Sequence, residues 1–323
     1  MGTESPILAS GLVRTFGSGS DEVRAVDGVD LEVRSGEIFG FLGPNGAGKS
    51  TTVRMLTTLL SPTGGSARVA GYDVVTEADA VRRNIGVALQ DAAIDPLMTG
   101  HELLRLQAVL YGLPRGQHRS RADELLERVG LSSAGDRRVG TYSGGMRRRL
   151  DLALSLIHEP MVLFLDEPTT GLDPMSRMAL WEEIRRLNGE GTTVLLTTQY
   201  LEEADQLADR VAIIDNGRIV REGAPEALKA GVGSPTLFVR VGADQESAAS
   251  GVLARFGELR PTAEGMLGVG LNGGAGEVSA VVRALDERGI AVDHLELSAP
   301  SLDDVFAEAT GHRLEGAESP AGA

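Results

Sequence analysis

The sequence predicts an α/β fold, and three features predict it. Ile38-Phe39-Gly40-Phe41-Leu42, Met161-Val162-Leu163-Phe164-Leu165 and the stretch 192–197 are short runs, mostly apolar, as in strands buried on both faces of a sheet. Segments with helical apolar spacing separate them. The first run leads directly into Gly43-Pro44-Asn45-Gly46-Ala47-Gly48-Lys49-Ser50-Thr51, which has the G-x-x-x-x-G-K-[ST] spacing of a phosphate-binding loop between strand and helix.

That spacing carries a specific chemistry. Glycines let backbone N–H groups crowd around phosphate oxygens, and a helix N-terminus adds a favourable dipole. Lys49 is expected to reach the β- and γ-phosphates of a nucleotide and the Ser50 hydroxyl to bind Mg²⁺. Lys49 and Lys229 are the two lysines of a chain otherwise rich in arginine. A compact ammonium fits inside such a loop where a planar guanidinium does not. Apolar Val53, Leu56, Leu59 and Leu60 predict a helix from Thr51 to Leu60 packed on the sheet.

Composition narrows the class. The 323 residues are 42% hydrophobic, with a net charge of −15 and no cysteine. That is enough apolar content for one large domain or two. It leaves no disulfide or thiolate metal site. No sustained basic block appears, so nucleic acid is not expected as a partner. Neither a signal peptide nor an 18-residue apolar span is visible. The expectation is a soluble cytosolic chain whose membrane role, if any, needs a partner.

Taken in order, Leu8–Phe16 and Val23–Val33 alternate apolar and polar residues, as two half-buried antiparallel strands do. The Gly-Ser loop 17–21 joins them. Phe16 at its edge reads equally as a core aromatic or as a ring stacked on adenine. A turn at 61–65, a short strand from Ser66 to Ala70, a helix from Asp79 to Asn84 and a buried strand from Ile85 to Leu89 follow, ending at Gln90.

From Thr99 to Leu131 the pattern is helical. Thr99 and Glu102 form a capping box, and Leu103, Leu104, Leu106, Val109 and Leu110 predict an apolar stripe. Tyr142-Ser143-Gly144-Gly145-Met146 then precedes another helix. Ser143 is its expected N-cap, and Gly144 and Gly145 leave bare N–H groups suited to anions. Arg147, Arg148 and Arg149 read as a solvated face.

The run that ends in Leu165-Asp166-Glu167 marks a central strand whose carboxyl end meets a ligand crevice. Asp166 is expected to hold Mg²⁺ through water, and Glu167 to orient or deprotonate an attacking water. Gly171-Leu172-Asp173-Pro174 is a turn before a helix from Met175 to Leu187. After the 192–197 strand comes Gln199, then a helix from Leu201 to Leu207. A hairpin closes on Asn216-Gly217.

In this order the motifs resemble the nucleotide-binding subunit of ATP-binding-cassette transporters, over roughly residues 5–230. The carriers are the phosphate loop, Gln90, Tyr142–Met146, Leu165-Asp166-Glu167 and Gly171-Leu172-Asp173. The resemblance implies a P-loop NTPase cassette: a mixed-sheet core, an antiparallel β subdomain and a helical subdomain. It also implies ATP and Mg²⁺ as ligands, with Gln90 sensing the metal and Ser143, Gly144, Gly145 and Asp173 contacting nucleotide. The family usually has His where Gln199 stands. Gln can donate a hydrogen bond there but carries no charge, so the bond to the γ-phosphate should be weaker. Gln199, the Met-Arg-Arg-Arg-Leu ending and Ser301-Leu302-Asp303-Asp304-Val305-Phe306 resemble the daunorubicin/doxorubicin-resistance (DrrA-type) branch of drug exporters.

That resemblance implies a homodimer with ATP sandwiched between the phosphate loop of one subunit and Ser143–Gly145 of the other. It implies a separate integral membrane permease as partner, docking near Gln90 and the 99–110 helix, and a peripheral place on the cytoplasmic face of the membrane. Export of a lipid or glycan, or soluble work on ribosomes or nucleic acid, are the rival expectations. Beyond a linker at 231–235, residues 235–312 predict a small α/β domain for regulation or dimerisation, and 313–323 a disordered tail.

Overall fold

The computed structural model describes residues 5–17, 19, 22–89, 94–260 and 266–312. The expectations for Gln90, for loop positions 18, 20 and 21, and for the tail at 313–323 lie outside the described residues. The chain divides into two compact units, Met1–Pro225 and Glu226–Ala323.

The first unit holds two sheets. Strands β1 (Ile7–Phe16) and β2 (Val23–Val33) pair antiparallel, and with β4 (Gly64–Val69) and β5 (Tyr72–Asp73) form a sheet in the order β2-β1-β4-β5. Ile7, Ala9, Leu12, Val29, Leu31 and Val33 point into one core, which is why these strands alternate. The second sheet runs β10-β9-β3-β8-β7-β6. It comprises β3 (Ile38–Leu42), β6 (Ile85–Ala88), β7 (Val162–Asp166), β8 (Thr193–Thr198), β9 (Arg210–Asp215) and β10 (Arg218–Gly223). Its pairs are parallel except β9 with β10, so the sheet is mixed. Every residue of β3, β7 and β8 is buried, as their apolar runs require.

Helix α1 is shorter than its apolar spacing suggests. It covers Lys49–Leu56 and stops at Thr57, and Leu59 is 58% exposed. Thr58 takes a positive φ of 65° there, and the N–H groups of Leu59 and Leu60 both turn back to Arg54 O. Helix α2 (Ala78–Asn84) precedes β6.

Helices α3 (Gly100–Leu110), α4 (His118–Arg128) and α5 (Gly144–Ser155) form the helical region. Thr99 and Glu102 make the capping box. The expected stripe on α3 splits: Leu103, Leu104 and Ala108 are buried, whereas Leu106, Val109 and Leu110 are exposed. On a helix, 103, 104 and 108 share one face and 106, 109 and 110 another. Helices α6 (Pro174–Gly189) and α7 (Leu201–Leu207) follow β7 and β8.

The second unit includes most of α8 (Pro225–Val232), so residues 231 and 232 close a helix where a linker was expected. Beyond it run β11 (Thr236–Val241), α9 (Glu246–Leu253), β12 (Gly257–Arg260), β13 (Leu267–Leu271), α10 (Val278–Asp286), β14 (Val292–Ser298) and α11 (Leu302–Thr310). The antiparallel sheet, in the order β12-β13-β11-β14, has its own core of Leu237, Val239, Val252, Leu253, Val269 and Leu285. Strand β12 and helix α11 carry no sequence expectation. Three of the four residues of β12 are exposed, so it lacks apolar alternation. Helix α11 has a Ser301–Asp304 capping box that marks its start.

Candidate active site

Sheet register builds the site. Leu42 lies opposite Thr198 on β8, and Asp166 on β7 lies opposite Thr197. The carboxyl ends of three parallel strands therefore leave the sheet at one level, where open α/β sheets bind ligands.

The phosphate loop leaves β3 and ends in α1. Gly48 caps the helix with φ 107°, and a Cβ there would lie 2.5 Å from Ala25 O. A Cβ at Gly43 would lie 2.4 Å from Ile214 O. Both positions exclude a side chain. Ala47 and Gly48 are buried, Pro44 is half-buried, and Asn45 and Gly46 form the exposed rim.

Lys49 is 4% exposed, and its Nζ donates to Gly43 O at 2.6 Å and Pro44 O at 3.0 Å. The same Nζ is 3.5 Å from Glu167 Oε1. Burial pulls the ammonium below the usual lysine range, while the Glu167 and Asp166 carboxylates pull it back up. Ser50 Oγ donates to Asp166 Oδ1 at 3.1 Å, and Thr197 Oγ1 donates to the same oxygen at 2.5 Å. Thr51 sits half-buried beside Ser50 on α1. A buried carboxylate with two hydroxyls is a hard oxygen set of the kind Mg²⁺ takes.

Glu167 is buried, with φ 48°. A left-handed glutamate costs on the order of 1–3 kcal/mol unless its surroundings impose it. They do: its N–H donates to Thr197 O and Oγ1, both at 3.1 Å, and Thr170 Oγ1 donates to Glu167 Oε2 at 3.3 Å. Gln199 follows β8 directly and is half-buried.

The remaining predicted residues stand apart. Ser143 caps α5, accepting from Met146 N–H, and Ser143 and Gly144 are exposed. Asp173 caps α6, accepting from Ser176 N–H and Oγ. A Cβ at Gly145 would lie 3.0 Å from Ser176 Oγ, so the two helix starts abut. Among the described residues, no hydrogen bond or ion pair joins Ser143, Gly144, Gly145 or Asp173 to the phosphate loop. Phe16 closes β1 at 41% exposure, with the Arg14 guanidinium 4.7 Å from its ring centroid. It is not a core residue.

Sequence reasoning missed three internally bonded polar residues. Thr197 reads as one more strand residue, yet it bonds both Asp166 and Glu167. Glu203, fully buried on α7, accepts from Trp181 Nε1 at 3.2 Å, and burial raises its carboxyl above the usual range. Arg148 is the third. Rather than lying on a solvated face, it donates to Pro168 O at 2.9 Å, Leu89 O at 2.6 Å, Asp166 O at 2.5 Å and Glu167 O at 2.9 Å. Three successive arginines on a helix point 100° apart, so they cannot share one environment. Arg149 also leaves the solvated face, half-buried with its guanidinium donating to Val129 O at 2.9 Å, whereas Arg147 is exposed; their sequence does not say which turn inward.

A profile for the ABC transporter family matches residues 26–170. The daunorubicin resistance ATP-binding protein DrrA3 of Streptomyces coeruleorubidus is 49% identical over 309 residues, 95% of this chain and 96% of that protein. The Nod factor export ATP-binding protein I of Ralstonia nicotianae is 44% identical over 225 residues, 69% of each chain. A solved dimeric structure of the ATP-binding cassette MJ0796, in a post-hydrolysis state with ADP and Pi, superposes with a TM-score of 0.63 at 25% identity. It covers 68% of this chain and 98% of that one.

Proposed function

The chain belongs to the ABC transporter family of ATP-binding cassettes and is an ATPase, and from that premise we propose that it powers a drug exporter whose membrane path is a separate permease. Identity to DrrA3 runs through the second unit as well as the cassette, whereas the Nod factor relative matches about two thirds of the chain. This breadth favours drug over lipid or glycan as cargo. No helix among the described residues is long and apolar enough to cross a membrane. The proposed place, peripheral on the cytoplasmic face, follows from the proposed work with a separate permease.

The observation that carries the mechanism is the convergence of Lys49, Ser50, Asp166 and Glu167 at the carboxyl end of the central strands. In this reading the phosphate loop and Lys49 bind the ATP phosphates. Ser50 and Asp166 hold Mg²⁺, which when bound offsets phosphate charge, and Gln90 adds to that site. Glu167 takes a proton from the attacking water, and Gln199 donates to the γ-phosphate. Phe16 stacks on the adenine.

Ser143, Gly144 and Asp173 are exposed at helix starts, Gly145 is half-buried beside them, and none is bonded to the phosphate loop, which supports a second copy presenting them to the nucleotide. The proposed assembly is a homodimer with two ATP molecules between its subunits. The second unit is proposed to support that dimer. The permease would dock on a groove of about 400 Å³ lined by Leu59, Val87, Leu89, Gln107 and Tyr111, where α3 meets the segment leading to Gln90.

Glu167→Gln tests this. It should bind ATP, accumulate as a nucleotide-bound dimer in size-exclusion chromatography, and hydrolyse at least about 10²-fold more slowly. Hydrolysis at the parental rate would show that Glu167 is not the group that takes the proton from water.

A further inference from the structure

Arg148 lies one turn into α5, the helix that opens with Ser143, Gly144 and Gly145. Its side chain is 13% exposed, and all three guanidinium nitrogens are engaged. Every one of these bonds goes to a backbone carbonyl, and the four acceptors belong to two segments. Leu89 O lies just past β6, next in sequence to Gln90. Asp166, Glu167 and Pro168 form the end of β7 and the turn beyond it. A planar fork of fixed N–H directions can satisfy carbonyls spread over such an arc, whereas a point ammonium cannot reach them all.

The contact with Glu167 is the informative one. The N–H of this left-handed residue is held by Thr197 and its C=O by Arg148, so its peptide is fixed from both sides. We propose that Arg148 is a positioning residue for hydrolysis: it holds the Glu167 peptide in its left-handed conformation and so keeps the carboxylate aimed at the attacking water. Because Arg148 also grips Leu89 O, it ties the segment leading to Gln90 and the helix start at Ser143 to the same peptide. This rests on the role proposed for Glu167. Asp151, one turn further along α5, lies 3.6 Å from Arg148 and flanks the clamp without taking a place in it.

The test uses the full-length protein, with wild type, Arg148→Met, Arg148→Lys and Glu167→Gln compared. ATP turnover, dissociation of a fluorescent ATP analogue and melting temperature are measured for each. Arg148→Met should lower kcat about 10²-fold, because a small misplacement of a reacting group is that costly. Nucleotide affinity should stay within about threefold, since no phosphate-binding group is touched. Arg148→Lys, which can keep one or two of the four bonds, should recover about tenfold of the loss. Parental kcat in Arg148→Met overturns the proposal. So does an equal loss of kcat and nucleotide affinity with Lys no better than Met, the signature of a merely structural part. If Arg148→Met does not fold, Arg148→Lys decides: a lower kcat at unchanged affinity supports the positioning role, and parental kcat refutes it. Parental hydrolysis by Glu167→Gln would instead mark failure of the underlying assignment.

Discussion

Ser50 and Asp166 are 116 positions apart in sequence, yet the Ser50 hydroxyl donates to Asp166 Oδ1 at 3.1 Å. The contact exists because β3 and β7 flank β8 in register, so the residues leaving each strand end meet across its last threonines. Thr197 completes the arrangement by donating to the same oxygen.

Removing the hydroxyl should therefore show in the metal dependence. Ser50→Ala leaves the loop backbone intact but deletes one hard ligand. The magnesium concentration for half-maximal hydrolysis should rise about 10- to 100-fold. Titration of activity with magnesium at saturating ATP checks this. An unchanged midpoint would exclude Ser50 from the metal site.

Phe16 offers a second test. It ends β1 half-exposed, so truncation opens no cavity in the core. If the ring stacks on adenine, Phe16→Ala should weaken ATP binding by about 1–3 kcal/mol. The melting temperature should barely move. Comparing KM for ATP with thermal stability separates the outcomes. A lower melting temperature with unchanged KM would return Phe16 to a packing role.

Asp151 predicts a pH dependence of stability. Burial pushes its carboxyl up to about 7 from an ordinary 3.8, against the pull of Arg148. The native state thus holds a proton that the unfolded chain has released, and between pH 4 and 7 folding takes up protons. The stability linked to that proton is complete below pH 4 and is lost as pH rises to about 7. Its ceiling is on the order of 4 kcal/mol. Asp151→Asn cannot ionise, so it should gain on the wild type progressively from pH 5 to 7 and hold that gain at pH 8. Urea midpoints of both proteins across this range are the measurement. Parallel pH curves would show that Asp151 titrates normally.

The local chemistry of the phosphate loop was legible because it is a short-range property. Gly43 and Gly48 face backbone carbonyls 2.4 and 2.5 Å from where a Cβ would stand, so no other residue fits there. The buried strands were legible for a similar reason: a run with both faces covered must be apolar throughout. Edge strand β12 was not, since three of its four residues are exposed and they carry no period that distinguishes it from a loop. Leu106, Val109 and Leu110 misled because their apolar character says nothing about which helix face the neighbouring elements cover.

The amino-acid sequence by itself determined the α/β class, the strand–loop–helix that cradles phosphate, and the side chains able to meet nucleotide and metal. The tertiary structure alone decided that Thr197 bridges Asp166 and Glu167, that Glu167 sits in a left-handed conformation, and that Arg148 reaches the carbonyls of Asp166 and Glu167 while Arg149 turns to Val129 O. The division follows from range. Turn geometry and hydrophobic period are fixed within a few residues. The partners of a buried hydroxyl or guanidinium are carbonyls and carboxylates brought together by strand register, and no local pattern of side chains encodes that.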